Sequence, residues 1–143
     1  MAFFVAPGHP LLRQESVTLA DIAAHNLLVR ERGSGTRAAI ERRYEEEGVA
    51  LAIGSELSSN EAIKQMTAAG LGVAFLSVHA CTLEVRNRLL SVLPVPGVVV
   101  QGEWHVMHKA ARAIPTVAAS FHEFMVEHGQ QVISDELESI AWK

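Results

Sequence analysis

The chain has 143 residues, 49% of them apolar, with a mean hydropathy of +0.19, and its 16 acidic and 12 basic side chains leave a formal charge of -4. That is apolar material for one substantial core and too much for a disordered chain. The acidic balance, with Lys and Arg scattered, argues against nucleic-acid binding by this chain, and a single cysteine, Cys81, excludes an intramolecular disulfide and fits a reduced, cytoplasmic setting.

The opening "MAFFVAPGHP" lacks a cationic segment and is too short for a secretory apolar region. No window approaches the run of about 18 to 20 apolar residues that a spanning helix needs, so no membrane partner is expected. Strand-like and helix-like segments then alternate, which is the rhythm of an α/β fold. Phe3 to Ala6 reads as a strand stopped at Pro7-Gly8, Thr18 to His25 as a helix capped by Thr18, and Leu27 to Arg30 as a second strand. Thr36 to Glu47 is an amphipathic helix with Ile40 and Tyr44 four apart, Arg42/Glu46 and Arg43/Glu47 pairs outside, and Gly48 at its end.

Val49 to Ile53 is apolar and predicts a further strand; Ser58-Ser59-Asn60 then opens a helix with Glu61 in its first turn and Ala62, Ile63, Met66, Ala69 and Gly70 as its stripe. Gly72 to Leu76 has no polar alternation and predicts a central strand covered on both faces. Ser77 to Val85 reads as a short helix, Leu89 to Leu93 as a strand, Pro94 to Gly97 as a turn and Trp104 to His108 as a strand. Pro115 opens a helix to His128, Gly129 ends it, and Ser134 caps a last acidic helix carrying Leu137, Ile140 and Ala141.

The chemistry concentrates at "RERGSGTR", residues 30–37. Gly33 and Gly35 leave room for a ligand, Ser34 and Thr36 offer hydroxyls, and Arg37 adds a fixed charge at a helix start whose N–H groups have no partner. A carboxylate or phosphate is the natural guest. The bland reading, that the hydroxyls only cap the helix and the glycines only turn the chain, stands beside it.

Gly33-x-Gly35-x-x-Ala38, with Glu56 downstream, also satisfies the relaxed dinucleotide fingerprint, although Arg30-Glu31-Arg32 separates strand from glycine. A phosphate-binding P-loop is rejected for want of Gly-Lys-Ser/Thr. The histidines do not cluster; His105 and His108, three apart on an expected strand, point to opposite faces, so no metal site is expected. Ser77 and His79 lack a nucleophile elbow, and Cys81 reads as a buried thiol, so no catalytic residue is assigned.

The phrases "RERGSGTRAAIERRYEEEGV", "SELSSNEAIKQMTAAGLGVAFLSVHA", "WHVMHKAARAIPTVAASFHEFM" and "FFVAPGHPL" resemble the effector-binding domain of LysR-type transcriptional regulators over nearly all of residues 3–128. Gly33 to Arg37, Ser59 to Gln65 and Gly70-Leu71-Gly72 are similar to regulators of carbon-dioxide-fixation operons. The resemblance implies a type II periplasmic-binding-protein-like fold, with an effector held between two α/β subdomains. Residues 8–106 would form the second subdomain, residues 1–7 and 107–128 crossing strands and first-subdomain elements, and residues 129–143 a tail; Phe3 to Ala6 and Trp104 to Lys109 would cross.

On that reading the protein is a sensor, not an enzyme, and needs no cofactor. Ser34, Gly35, Thr36 and Arg37 face Ser58, Ser59 and Asn60 across a small anionic effector, a phosphorylated metabolite or an organic acid. Nothing before Phe3 matches a winged helix-turn-helix, so DNA would be reached only through a domain absent from this chain. The stripe Val117, Phe121, Phe124 and Met125, with Leu137 and Ile140, lacks a cover, and a homo-oligomer through the C-terminal helix and tail is expected. A nucleotide-dependent α/β enzyme and a solute-binding protein are the competing readings.

Overall fold

A computed structural model describes residues 1–98, 104–111 and 113–138. Short apolar runs build one five-stranded sheet from Ala2–Val5 (β1), Leu27–Arg30 (β2), Ser55–Leu57 (β3), Val73–Leu76 (β4) and Ser91–Leu93 (β5), in the order β3-β2-β4-β1-β5. β2 is parallel to β3 and β4, whereas β1 runs antiparallel between β4 and β5. β4 is buried throughout and lies at the centre, as its unbroken apolar run predicts.

Alternation sorts the strand residues onto two cores. Phe3, Val5, Leu27, Val29, Val73 and Phe75 pack on one face with Ile40 and Tyr44, while Phe4, Leu28, Ala74 and Leu76 pack on the other with Ile63 and Cys81. Leu19–Ala23 (α1) and Gly35–Glu46 (α2) cover the first face; Asn60–Ala68 (α3) covers the second. Thr18 caps α1 in a reciprocal box with Asp21. The crossovers through α2 and α3 are what parallel pairing requires.

Several boundaries differ from expectation. Val49 to Ile53 forms no strand; Val49 and Leu51 lean on the first core, and the edge strand is Ser55–Leu57, whose register against Leu28–Arg30 is set after Gly54. The Ser77–Val85 helix is a 3-10 turn, Val78–Cys81, followed by Thr82–Arg86 (α4). Arg88 takes the left-handed conformation (φ 57°) to close α4, so pairing resumes only at Ser91. Buried positions of α3 include Lys64 and Thr67, while Ala69 and Gly70 of the expected stripe are exposed.

Residues 104–109 form no strand, so the second crossing strand and the opposite-face placement of His105 and His108 do not hold. The backbone groups of a strand need a neighbouring ladder, and no strand among the described residues pairs with this segment. The last helix (α5), Thr116–Glu138, is continuous for 23 residues, through Gly129 and past Ser134. A mid-helix glycine costs only about 1 kcal/mol, and Gln131 Nε2 donating to Asp135 Oδ1 at 2.6 Å supports the extension. Leu137's side chain, Ile140 and Ala141 lie outside the described residues.

Candidate functional site

β2 and β3 end side by side. Arg30 pairs with Leu57, and Glu31 N–H donates to Leu57 O at 3.0 Å, carrying the ladder one residue further. From there α2 leaves toward one face of the sheet and α3 toward the other. Neighbouring parallel strands whose connections leave to opposite faces open a crevice at their carboxyl ends.

On the β2 side, Gly33 at φ 92° makes the tight turn that a side chain would strain, and Ser34 N–H donates to Glu31 O at 3.2 Å. The first helical bond of α2 is Ala38 N–H to Ser34 O at 3.0 Å, so the N–H groups of Gly35, Thr36 and Arg37 precede it. Ser34 is the N-cap, yet its hydroxyl makes no capping bond. On the β3 side, Ser59 is the N-cap of α3 and its Oγ accepts Ala62 N–H at 3.4 Å; Ser58 is exposed. The bland capping reading of the glycine corner therefore does not describe Ser34, whereas Ser59 is a working cap on α3.

Arg30, which the sequence reading passed over, joins the two sides. Its Nη1 donates to Asn60 Oδ1 at 2.6 Å, while Nε and Nη2 grip the Glu31 carboxylate at 2.7 and 2.9 Å. Each charge favours the other: the Glu31 hydrogen bond raises the Arg30 pKa, and the Arg30 hydrogen bond holds Glu31 below the usual carboxylate range. The sequence signal for it is the charged run Arg30-Glu31-Arg32 that closes an apolar strand.

Arg37 corrects an expectation. It is 2% exposed, with Nε donating to Glu41 Oε1 at 2.6 Å and Nη1 reaching Glu56 Oε2 and Arg30 O, each at 3.3 Å. A buried guanidinium must find its partners inside, so its charge is spent within the protein rather than offered at the corner. The same contact accounts for Glu56, the acidic residue of the dinucleotide fingerprint, which here answers Arg37 from an edge strand.

The other candidates do not converge on a reaction. Burial and the nearby Glu84 charge push the Cys81 thiol up to about 12, which removes the reactive thiolate. Ser77 starts the 3-10 turn without a side-chain cap bond, and the His79 ring sits against Trp104, centroids 6.0 Å apart. Lys64 is buried between Glu61 (2.6 Å) and Glu84 (2.8 Å); desolvation lowers its pKa, but the two carboxylates outweigh it and the net shift is upward. Among the described residues no three His, Cys, Asp or Glu side chains are grouped to hold a metal. A pocket of about 220 Å³ lies toward the other end of α2, lined by Val17, Leu19, Val49 and Val98 together with Ser16, Thr18 and Glu47. It presents no cationic side chain, and its carboxylate does not suit an anion.

Comparison with known proteins follows the same lines. Residues 1–130 match the LysR substrate binding domain. The RuBisCO operon transcriptional regulator of Allochromatium vinosum is 33% identical over 126 residues, covering 88% of this chain and 42% of that protein. The HTH-type transcriptional regulator CbbR of Xanthobacter flavus is 41% identical over 128 residues, 87% of this chain and 38% of that protein. This chain thus spans about two-fifths of the length of these relatives, which are transcriptional regulators and not enzymes. Among solved structures, the Synechocystis PCC6803 CcmR regulatory domain in complex with 2-PG has a TM-score of 0.77 and 27% identity, over 88% of this chain and 61% of that one. The sheet order, the crevice at its carboxyl end and these matches lead to one assignment: the chain belongs to the LysR substrate-binding-domain family and has its periplasmic-binding-protein-like α/β fold.

Proposed function

We propose that this chain senses a small anionic metabolite, a phosphorylated compound or an organic acid, for transcriptional regulation. Ser34, Gly35 and Thr36 supply one wall of donors and Ser58, Ser59 and Asn60 the other, with Arg37 fixing the first wall from beneath. The observation that carries this reading is the Arg30–Asn60 bond, which ties two helix starts together at the carboxyl ends of paired parallel strands. Unpartnered N–H groups and the positive ends of two helix dipoles favour an anion there. Binding that favours one arrangement of the domain over another then alters how the regulator assembles. DNA contact belongs to a domain outside this sequence, and the working compartment is the cytoplasm; no helix among the described residues is long and apolar enough to cross a membrane.

Calorimetric titration tests the reading. Since the CcmR regulatory domain was solved with 2-PG, 2-PG is the first compound to titrate, followed by other phosphorylated metabolites and organic acids. The Ser34→Ala/Thr36→Ala double variant is expected to lose binding; unchanged affinity would remove the site. A solute-binding protein of the same fold would bind as well, but without changing operator affinity when the chain is joined to a DNA-binding domain. The reading extends to self-association through α5, where Val117 is 84% and Phe121 61% exposed. Light scattering at tens of micromolar, a concentration chosen from ordinary association strengths, should show a species larger than a monomer.

A further inference from the structure

Of the three arginines at the glycine corner, Arg32 is exposed, and Arg30 and Arg37 are already answered by carboxylates. Arg37 is buried against Glu41 and Glu56. Arg30 is more accessible, with its side chain 21% exposed, and is held in a two-bond fork by Glu31, the residue next to it in sequence. The fork is the geometry in which a guanidinium takes a ligand carboxylate or phosphate. An anion arriving between α2 and α3 therefore finds Arg30, the arginine that bridges the two helix starts, occupied.

Resting on the function proposed above, we infer that Glu31 is a built-in competitor for the effector: its carboxylate, which holds Arg30 in this structure, is displaced by the effector's anionic group. The backbone favours such an exchange. Glu31 N–H and C=O are bound to Leu57 and Ser34, so the main chain stays in place while the side chain swings. Arg30 has a second hold that uses a different nitrogen, its Nη1 donating to Asn60 Oδ1 at 2.6 Å. Glu31 is 37% exposed on its side chain and loses little by turning into water. The arrangement selects against weakly charged ligands, because only a group that binds Arg30 better than a carboxylate already in place gains from the exchange.

Nitrogen-15 amide spectra with inorganic phosphate as the probe test this, following the Gly35, Thr36 and Asn60 amides in wild type, Glu31→Gln, Arg30→Gln and the double variant. Glu31→Gln keeps the shape and removes the charge, and it should tighten phosphate binding about three- to fivefold, the range that an exposed ion pair allows. In the Arg30→Gln background the same change should have no effect, because Glu31 acts through Arg30. Equal affinity of wild type and Glu31→Gln, with the amides still shifting, overturns the inference and leaves the site standing. Tightening that persists without Arg30 overturns it too, since net charge alone then explains the gain. If phosphate shifts these amides in none of the four proteins, the site reading itself has failed and this inference falls with it.

Discussion

The two ends of the sheet are built from similar residues and finished in opposite ways. At the amino end, Asn26 sits where β2, β3 and β4 begin. Its backbone O accepts Val73 N–H at 2.9 Å, its Nδ2 donates to Leu71 O at 2.6 Å, and Gly54 and Gly72 press against it so closely that no side chain fits. At the carboxyl end the Ser34 hydroxyl at the start of α2 is uncommitted, Ser59 caps only Ala62 N–H of α3, and Arg30 is held by the carboxylate next to it in sequence and by the Asn60 side chain. A closed end gives the strands their register; an open end leaves polar groups for something else to satisfy. Stability and binding should therefore separate by sheet end, and substitutions can test how cleanly they do.

The largest effect is expected at the closed end. A Cβ on Gly72 would lie 2.2 Å from Asn26 O, a backbone atom that cannot move aside without breaking the β2–β4 ladder. Gly72→Ala should cost about 3 kcal/mol, the upper part of the range for overpacking, seen as a lowered midpoint in urea unfolding. Gly54→Ala meets the Asn26 side chain first, at 1.7 Å from Oδ1, and Asn26 Cα at 2.9 Å. Part of that strain can be relieved by turning the amide, so the loss should be smaller. If Gly72→Ala unfolds at the wild-type midpoint, the closed end is not what holds the register.

How far each end was legible follows from the physics of its residues. Apolar runs such as Val73 to Leu76 announce a buried central strand, and Thr18 with Asp21 announces a capped helix, because the signals are local. The glycine turn and helix start at Gly33 to Gly35 are legible as well, since a glycine-rich corner ahead of a helical pattern is a local signal. What was not visible depends on distant partners. Arg37 looks like an exposed charge until Glu56 on the neighbouring strand draws it in, and Arg30 acquires a role only when Asn60 arrives from thirty positions along. Val49 to Ile53 is apolar and so predicts a strand, yet register against β2 selects the more polar Ser55–Leu57. Residues 104–109 carry a strand's composition, but no strand among the described residues pairs with them.

A second pair of changes compares a closed cap with an open one. Thr18 Oγ1 accepts Asp21 N–H at 3.2 Å, and Asp21 returns a bond to Thr18 N–H at 2.8 Å. Ser34 occupies the same position on α2 without a side-chain bond. Thr18→Ala should cost about 1 kcal/mol, as a working cap does, whereas Ser34→Ala should cost a few tenths at most. Thermal melts of the two variants measure both. A Ser34→Ala loss as large as that of Thr18→Ala would mean that its hydroxyl serves the fold, and the contrast between the two ends would weaken.

The smallest effect expected is one of pH. His9 Nδ1 accepts Leu11 N–H at 3.3 Å, a role that only the neutral ring can fill, and its ring lies against that of His25, centroids 4.9 Å apart. Burial, followed by the His25 charge, lowers the His9 pKa below 6.5. Near that value the unfolded chain binds more protons than the native one, so stability rises with pH. The contribution is complete above 6.5, the unfolded value, and is lost as pH falls through the lowered folded value. His9→Asn keeps an acceptor for Leu11 and removes the titration, so the stability difference between pH 5.5 and pH 7.5 should shrink in that variant while its stability at pH 7.5 changes little. A variant with the wild-type pH slope would place the proton-sensitive group elsewhere. A slope that disappears would show that mild acid loosens the turn after β1 through His9.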